Sequence, residues 1–204
     1  MRKIEIQNRP VLKIEKTPLE IALNIISLLL FIGSVLYLLM EWPSLPNRVP
    51  MHYNFFGEVD KWGSKGIIFL HPIMGAVLWI GPTILEKFPH AYNYIVSLTE
   101  ENIERQYKNG RIMINVVKNE ILIYISYSIW KDVKIAYGHD IAFGTWDLAL
   151  FLIVLFGSMG FFYSKVISFK IKHYSISPNK TNGRVGYIKS VKGLPYLGVP
   201  FFIQ

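Results

Sequence analysis

The sequence predicts an all-α integral membrane protein with four transmembrane helices and both termini in the cytoplasm. Four apolar runs predict the helices: residues 19–40, 67–85, 112–130 and 146–169. Each is close to the ~20 residues that a helix needs to cross a hydrocarbon core of ~30 Å. Lys and Arg are dense before the first run, between the second and third, and after the fourth, and sparse in the other two connections. Because cation-rich connections stay in the cytoplasm, this alternation predicts the orientation.

The composition and the absence of certain motifs exclude several classes of function. The 204 residues include no cysteine, which excludes disulfide frameworks, thiolate metal sites and cysteine nucleophiles. The net charge of +8 follows the predicted topology, so we expect no nucleic-acid partner. Neither a P-loop nor a Gly-x-Ser-x-Gly elbow is present, and we predict a non-enzymatic protein without a cofactor.

The predicted organisation has three parts and one prominent loop. These are a lead-in at 1–18, a membrane domain at 19–169 with an outer loop at 41–66, and a basic cytoplasmic tail at 170–204. In the tail, the turn residues Asn182 and Gly183 lie between two alternating segments and predict a hairpin. We expect the cations of the tail to favour an anionic inner leaflet.

The first two spans carry polar residues at informative places. In the first, Asn24, Ser27 and Ser34 share a narrow arc, and we expect that arc to face neighbouring helices because amides and hydroxyls seek partners in hydrocarbon. In the second, His71 and Pro72 lie near the outer end. There the missing N–H of Pro72 costs little if the proline falls within the first helical turn.

The third span is the most polar. Thr99 followed by two glutamates predicts a helix start, and a helix from about residue 100 that continues into the membrane. We expect Lys118 to snorkel towards the cytoplasm. We predict an intramembrane polar site made of Asn115, Asn119 and Glu120, because an ionised carboxylate in hydrocarbon usually faces the bundle or water. One helical face carries Asn115, Asn119, Leu122 and Ser126, and we expect that face to point inward. Two alternatives remain: a membrane segment that starts near residue 121, or an amphipathic helix outside the membrane.

The outer loop is unusually dense in distinct chemical groups. Its prolines restrict the backbone and its glycines permit turns. Its pattern is Leu-Pro-x-x-x-Pro-x-His-x-Asn-x-x-Gly-x-x-Asp-x-Trp-x-x-Lys, formed by Leu45, Pro46, Pro50, His52, Asn54, Gly57, Asp60, Trp62 and Lys65.

This pattern resembles the signature of the bacterial membrane proteins grouped as domain of unknown function 1648. The segment from Thr99 to Tyr107 also resembles that family, and with the hydropathy pattern the resemblance covers about residues 10 to 165. It implies a multi-helix membrane protein without established chemistry. The best understood relatives of this family are immunity and signalling proteins that protect a cell from its own sporulation-delaying toxin.

Three interpretations of the loop compete. In the structural one, His52 and Asn54 bond loop backbone, Asp60 pairs with Lys61 or Lys65 or forms an Asx turn, and Trp62 anchors the loop at the lipid interface. In the second, three outer residues form a metal site, although no tight ligand spacing is present. The candidates are His52, His71 and Asp60, and the same side also holds His139, Asp140 and Asp147. In the third, the loop surface recognises a partner or peptide.

We therefore expect a multi-pass protein of the bacterial cytoplasmic membrane with a non-catalytic role in immunity or envelope-stress signalling. Its expected partners are the lipid bilayer, an envelope-active peptide outside, a cytoplasmic protein inside and a second copy of the chain. The alternative is a small transporter or channel subunit that uses the polar groups of the bundle. A metal-dependent membrane enzyme is the third hypothesis.

Overall fold

The computed structural model describes residues 9–54, 56–139 and 146–175, with the backbone alone for residues 169–175. In chain order its elements are α1 (Pro18–Glu41), β1 (Arg48–Tyr53), β2 (Val59–Ser64), α2 (Leu70–Leu85), α3 (Ile103–Ala136) and α4 (Trp146–Ser175). Short 3-10 helices at Lys65–Phe69 and Pro89–Ala91 precede α2 and follow it.

The described chain is mostly helical, and four helical segments are long and apolar enough to span a membrane. This confirms the predicted number of candidate membrane helices and indicates a multi-pass membrane protein. The predicted hairpin at Asn182 and Gly183 lies outside the described residues.

The longest helix, α3, organises the bundle. It packs against α1, α2, α4 and β1, whereas α1 and α2 barely contact each other. Its 34 residues extend over roughly 50 Å at 1.5 Å per residue. The long helix that was predicted to run from the inner loop into the third span is therefore present as one element. The predicted inward face is also correct, because Asn115, Asn119, Leu122 and Ser126 are all buried.

Three local predictions need correction. Asn102, and not Thr99, occupies the N-cap position of α3, and its side chain makes no capping hydrogen bond to the helix but accepts one from the Thr99 backbone amide at 2.9 Å. Residues 170–175, which were predicted to begin the tail, continue α4 as helix. The all-α prediction omitted an antiparallel hairpin formed by β1 and β2 within the outer loop.

The ends of the bundle differ in what covers them. At one end, called here the hairpin end, β1 places Val49 in an apolar cluster with residues of α1 and α3 that include Leu38, Ile129 and Val133. At the opposite end, Leu12 and Ile14 of the lead-in pack against Leu98, Ile103 and Tyr107. Arg111 fixes the lead-in there, because its guanidinium donates to the Glu20 carboxylate and to the carbonyls of Ile14 and Glu15.

Candidate functional site

The turn of the hairpin is built by one asparagine side chain. Asn54 Oδ1 accepts from the backbone amides of Phe56 and Glu58 at 2.9 and 3.0 Å. The backbone amide of Asn54 donates to the Glu58 carbonyl, and its side-chain amide donates to the Glu58 carboxylate. Gly57 has a φ of 76°, a conformation that glycine adopts readily and other residues resist. Asn54 therefore bonds loop backbone, as the structural interpretation predicted.

His52 and Asp60 do not behave as that interpretation predicted. They face each other across the two strands, with 2.6 Å between His52 Nδ1 and Asp60 Oδ1. Asp60 thus pairs with a histidine and not with Lys61 or Lys65. Both side chains are substantially exposed, at 60% and 39%, so the pair contributes little to stability.

The other signature residues hold the hairpin to the first helix or lie on its surface. Lys65 Nζ donates to the Trp42 carbonyl at 2.9 Å and lies 4.6 Å from the centre of the Trp42 ring. Pro50 is buried in β1 opposite Trp62, whose own side chain is 45% exposed. Pro46 is exposed in the connection from α1 to β1.

Tyr53 joins the hairpin to the end of α3. Its hydroxyl donates to Asp132 Oδ1 at 2.5 Å, and the ammonium of Lys131 lies 4.6 Å from the centre of its ring. Burial and the nearby Asp132 carboxylate raise the pKa of Tyr53 far above its ordinary value of 10. The phenol therefore remains a hydrogen-bond donor at any physiological pH.

Asp132 also approaches the start of α2. Its Oδ2 lies 3.0 Å from His71 Nδ1, but the two groups are not aligned for a hydrogen bond, and both atoms lack a hydrogen-bond partner among the described residues. The Asp132 side chain is 2% exposed. A buried polar atom without a partner is costly unless something else satisfies it. Beside it, Lys131 forms an ion pair with Asp147 at the start of α4.

These groups surround a cleft of about 320 Å³ between the hairpin and the helix ends. Its volume is at the lower end of the range for small-ligand sites. Polar and charged side chains contribute much of its wall: His52, Tyr53, Asn54, His71, Tyr124, Ser128, Lys131, Asp132 and Asp147. We call this space the hairpin cleft.

The comparison with known families bears on this end of the molecule. Residues 29–76 match the family described as domain of unknown function DUF1648. This match supports the family assignment made from the signature. No curated protein and no solved structure matches the chain.

The DUF1648 segment contributes only part of the hairpin cleft. It contains the hairpin and the start of α2, and so supplies His52, Tyr53, Asn54 and His71. The remaining charged groups, Lys131, Asp132 and Asp147, come from α3 and α4, outside the matched segment. The sequence patterns indicated no role for Tyr53, Lys131 or Asp132. The available signal was the Lys131–Asp132 pair directly after an apolar run, but only the fold brings it to Tyr53.

The predicted intramembrane site is divided by the structure. Asn115 and Asn119 join a second cluster, called here the bundle network, in which their amides donate to Asn24 Oδ1. Ser27 and Trp79 donate to Asn119 Oδ1 at 2.5 and 3.0 Å. The predicted inward arc of α1 is therefore correct for Asn24 and Ser27, whereas the Ser34 hydroxyl bonds its own helix at Phe31.

Glu120 lies on another face of α3. Its carboxylate accepts from the Ser158 hydroxyl of α4 at 2.9 Å and takes no part in the contacts that join Asn115 and Asn119. A step of one residue rotates a side chain by about 100° around a helix, so neighbouring residues face different partners. The prediction of one site that contains all three residues is therefore not met by the geometry.

Lys118 does not snorkel as predicted. It is fully buried, and its Nζ contacts Glu86 Oε1 at 2.6 Å and Thr83 Oγ1 at 2.8 Å. Glu86 Oε1 also accepts from Asn115 at 2.9 Å, so this ion pair belongs to the bundle network. Lys118 thus finds its counter-charge immediately after α2 and does not extend to water.

The proposed metal ligands are not gathered into one site. His52 and Asp60 pair on the exposed side of the hairpin, while His71 faces Asp132. Within the described ranges, no group of three or more His, Asp or Glu residues is placed to hold a metal ion. His139 follows α3 at the same end of the bundle, and Asp140 lies outside the described residues.

Proposed function

We propose that this chain is a non-catalytic, multi-pass protein of the bacterial plasma membrane that acts in immunity or envelope-stress signalling. In this proposal the hairpin end lies outside the cell, and the hairpin cleft recognises an envelope-active peptide. The lead-in and the basic tail then lie inside, where they are available to a cytoplasmic partner. The single observation that carries the proposal is the buried Asp132 carboxylate in the cleft wall, with one oxygen that lacks a hydrogen-bond partner among the described residues.

The chemistry of the cleft suits a peptide better than a purely apolar molecule. Asp132 offers an acceptor, Lys131 and Asp147 offer a charge pair, and Tyr124 offers an aromatic surface. In this proposal a backbone amide or a cationic side chain of the peptide supplies the hydrogen bond that Asp132 Oδ2 does not receive from the misaligned His71 ring 3.0 Å away. Peptide recognition requires no covalent chemistry, which agrees with a non-catalytic role.

Transport receives less support from the geometry. The polar groups of the bundle network bond one another, and an apolar layer that includes Leu38, Ile125 and Ile129 lies between that network and the hairpin cleft. Asn119 and Asp132 are separated by roughly 20 Å along α3 at 1.5 Å per residue. Among the described residues, these interior groups form two separate clusters and not a continuous polar path.

A protection assay tests the proposed function. Cells that lack the gene are compared with cells that produce the protein, across a panel of envelope-active peptides, with membrane protein levels matched by immunoblot. We expect production to lower sensitivity to at least one peptide, and Asp132→Asn to reduce that protection. Glu104→Gln, at an exposed position near the opposite end of α3, is the matched control and should protect fully. Unchanged sensitivity across the whole panel would contradict the proposal.

Cysteine labelling tests the orientation separately. Because the chain has no cysteine, Glu58→Cys in the hairpin turn and Glu104→Cys at the opposite end each introduce a single reactive thiol. A membrane-impermeant maleimide should label Glu58→Cys in intact cells, and should label Glu104→Cys only after the cells are opened. The reverse pattern would place the hairpin in the cytoplasm and remove the proposed outer site.

A further inference from the structure

A large cavity lies at the end of the bundle opposite the hairpin. It measures about 690 Å³ and lies between the first turns of α3, the second half of α4 and the aromatic loop of residues 88–95. Its wall is mainly apolar or aromatic and includes Tyr92, Tyr94, Met113, Met159, Phe162 and Val166. We call this space the aromatic groove.

Two glycines and one hydrogen bond between α3 and α4 shape the groove. Gly110 lets the Tyr92 ring approach α3 closely, since a Cβ there would lie 3.1 Å from Tyr92 Cδ2. On α4, Gly160 has no heavy atom within 4 Å of the position of a Cβ, so the space in front of it is open. Asn109 donates to the Phe162 carbonyl at 3.3 Å and holds the two helices together beside that opening.

The groove lies at the end of the candidate membrane span that α2 forms. It is next to the end of α2 at Leu85 and close to the aromatic loop, and tyrosines are typical of interfacial belts. The Tyr92 hydroxyl donates to the Leu85 carbonyl, and the Tyr94 hydroxyl donates to the Pro89 carbonyl. Burial and the nearby Glu86 raise the pKa of Tyr92 to about 12, so this hydroxyl remains a donor. The polar ends of both rings are thus used internally. The Tyr92 and Tyr94 rings stack on each other and Tyr94 stacks on Tyr107, so the ring surface that an apolar occupant can contact is the part that lines the groove.

Cations lie at the rim of the groove. The Arg9 guanidinium lies 5.8 Å from the centre of the Tyr94 ring and donates to the Tyr92 carbonyl at 2.6 Å. The Lys165 ammonium lies 4.3 Å from the centre of the Phe161 ring and 5.7 Å from that of Phe162. Beyond Lys165 the sequence contains no Asp or Glu, and the last turns of α4 carry Lys170 and Lys172. A basic rim around an apolar groove matches a ligand with an anionic head and a hydrocarbon chain.

We propose that the aromatic groove binds one molecule of an anionic phospholipid. An acyl chain occupies the space between α3 and α4, and the phosphate lies near Lys165 and Arg9. The bilayer supplies this ligand directly, because α4 exposes most of its surface to the surroundings of the bundle. The proposal concerns the opposite end of the molecule from the hairpin cleft and does not depend on peptide recognition.

Lipid retention by the purified full-length protein tests this proposal. The protein is delipidated in detergent, supplied with phosphatidylglycerol or phosphatidylcholine, and analysed by native mass spectrometry. We expect one phosphatidylglycerol to be retained in preference to phosphatidylcholine. Lys165→Gln should weaken that preference about fivefold, since a cation near an anionic lipid surface contributes ~1 kcal/mol.

Two glycines on α4 provide a matched pair of variants. Gly160 lines the groove and Gly157, one turn earlier, does not, although neither has a heavy atom within 4 Å of the position of a Cβ. Gly160→Phe should fill the groove and lower phosphatidylglycerol retention by about tenfold or more, equivalent to ~1.4 kcal/mol. Gly157→Phe should retain the lipid as the parent protein does.

Photocrosslinking identifies the occupant directly. A benzophenone amino acid in place of Met159 should form an adduct with the mass of phosphatidylglycerol when the protein lies in vesicles that contain this lipid. Equal retention of both lipids, with no difference between the two glycine variants, would overturn the proposal. An adduct with a peptide from residues 194–204 or with a second copy of the chain would also overturn it. If Gly160→Phe fails to fold, the preference of Lys165→Gln for phosphatidylglycerol over phosphatidylcholine still tests the proposal.

Discussion

The two polar clusters along α3 have similar chemistry and differ in how completely their buried groups are hydrogen-bonded. In the bundle network, the amides of Asn115 and Asn119 and the ammonium of Lys118 all have partners on α1, on α2 or just beyond it. Glu86 Oε2 makes no hydrogen bond to the described residues, but the Lys16 ammonium lies 3.4 Å from it. In the hairpin cleft, Asp132 is equally buried, yet one of its oxygens and His71 Nδ1 lack hydrogen-bond partners in the described chain.

This difference separates a structural role from a binding role. A buried network in which most groups are hydrogen-bonded rigidifies the helices that it joins, whereas a buried acceptor without a hydrogen bond carries a cost that a ligand can remove. The two clusters should therefore respond differently to mutation. Changes in the bundle network should alter the free energy of unfolding, and changes in the hairpin cleft should alter local opening and recognition.

The largest expected effect is that of Lys118→Met. This change leaves the Glu86 carboxylate buried without its closest cation, and breaking a buried ion pair from one side typically costs about 3–5 kcal/mol. Unfolding by denaturant in detergent micelles measures the loss. Lys16→Met is the control, because Lys16 lies 3.4 Å from the same carboxylate but is 46% exposed. The free energy of unfolding should fall by less than about 1 kcal/mol in Lys16→Met. Equal losses in the two variants would show that the Lys118 pair is no more stabilising than a surface contact.

The next effect is that of Tyr53→Phe, which removes the hydroxyl that joins the hairpin to Asp132. A hydrogen bond to a charged group contributes about 1.5–3 kcal/mol, and we expect most of this loss to appear as opening of the hairpin. Hydrogen exchange of the amides of β1 and β2 measures it. Asp60→Asn breaks only the exposed pair with His52 and should leave exchange nearly unchanged. Faster exchange throughout α3 would instead mean that the hairpin supports the whole bundle.

A smaller effect is expected in the apolar layer between the clusters. A Cβ at Gly75 would lie 2.7 Å from Phe31 Cε2 and 3.2 Å from Ile125 Cγ2. Gly75→Ala should therefore destabilise the protein by about 1–2 kcal/mol through overpacking. Gly81→Ala, in the same helix with nothing within 4 Å, should change the free energy of unfolding by no more than ~0.5 kcal/mol. Similar unfolding midpoints for the two variants would contradict close packing at this layer.

The helices could be predicted from the sequence because their signals are local. Apolar run length predicted the four helices, and the 3.6-residue period predicted the buried face of α3 at Asn115 and Asn119. The hairpin could not be predicted in this way. Its register shifts between Pro50 and His52 and again between His52 and Tyr53, so the alternation of buried and exposed residues that marks a strand is lost.

The partners of the polar residues depend on the fold. Lys118 and Glu86 are 32 positions apart, and no spacing rule connects them; the same holds for Tyr53 and Asp132, 79 positions apart. Asp60 was predicted to pair with a nearby lysine because both lie in the loop. In the structure the register pairs His52 with Lys61, and the irregularity between His52 and Tyr53 leaves Asp60 within hydrogen-bond distance of the His52 ring. The sequence therefore identifies which residues need partners, while the packing of α1 and α2 on α3 decides which partners they find.

The smallest effect is expected at Glu120, which lies outside both clusters. Glu120→Gln keeps an acceptor for the Ser158 hydroxyl, and we expect the free energy of unfolding to change by no more than ~0.5 kcal/mol. Ser158→Ala removes the same hydrogen bond from the other side and serves as the comparison. Protection against the peptides should also be unchanged, because Glu120 does not line the hairpin cleft. If Glu120→Gln abolished protection while the protein remained folded and abundant, the functional charge would lie between α3 and α4. This result would favour the transporter hypothesis over peptide recognition at the hairpin.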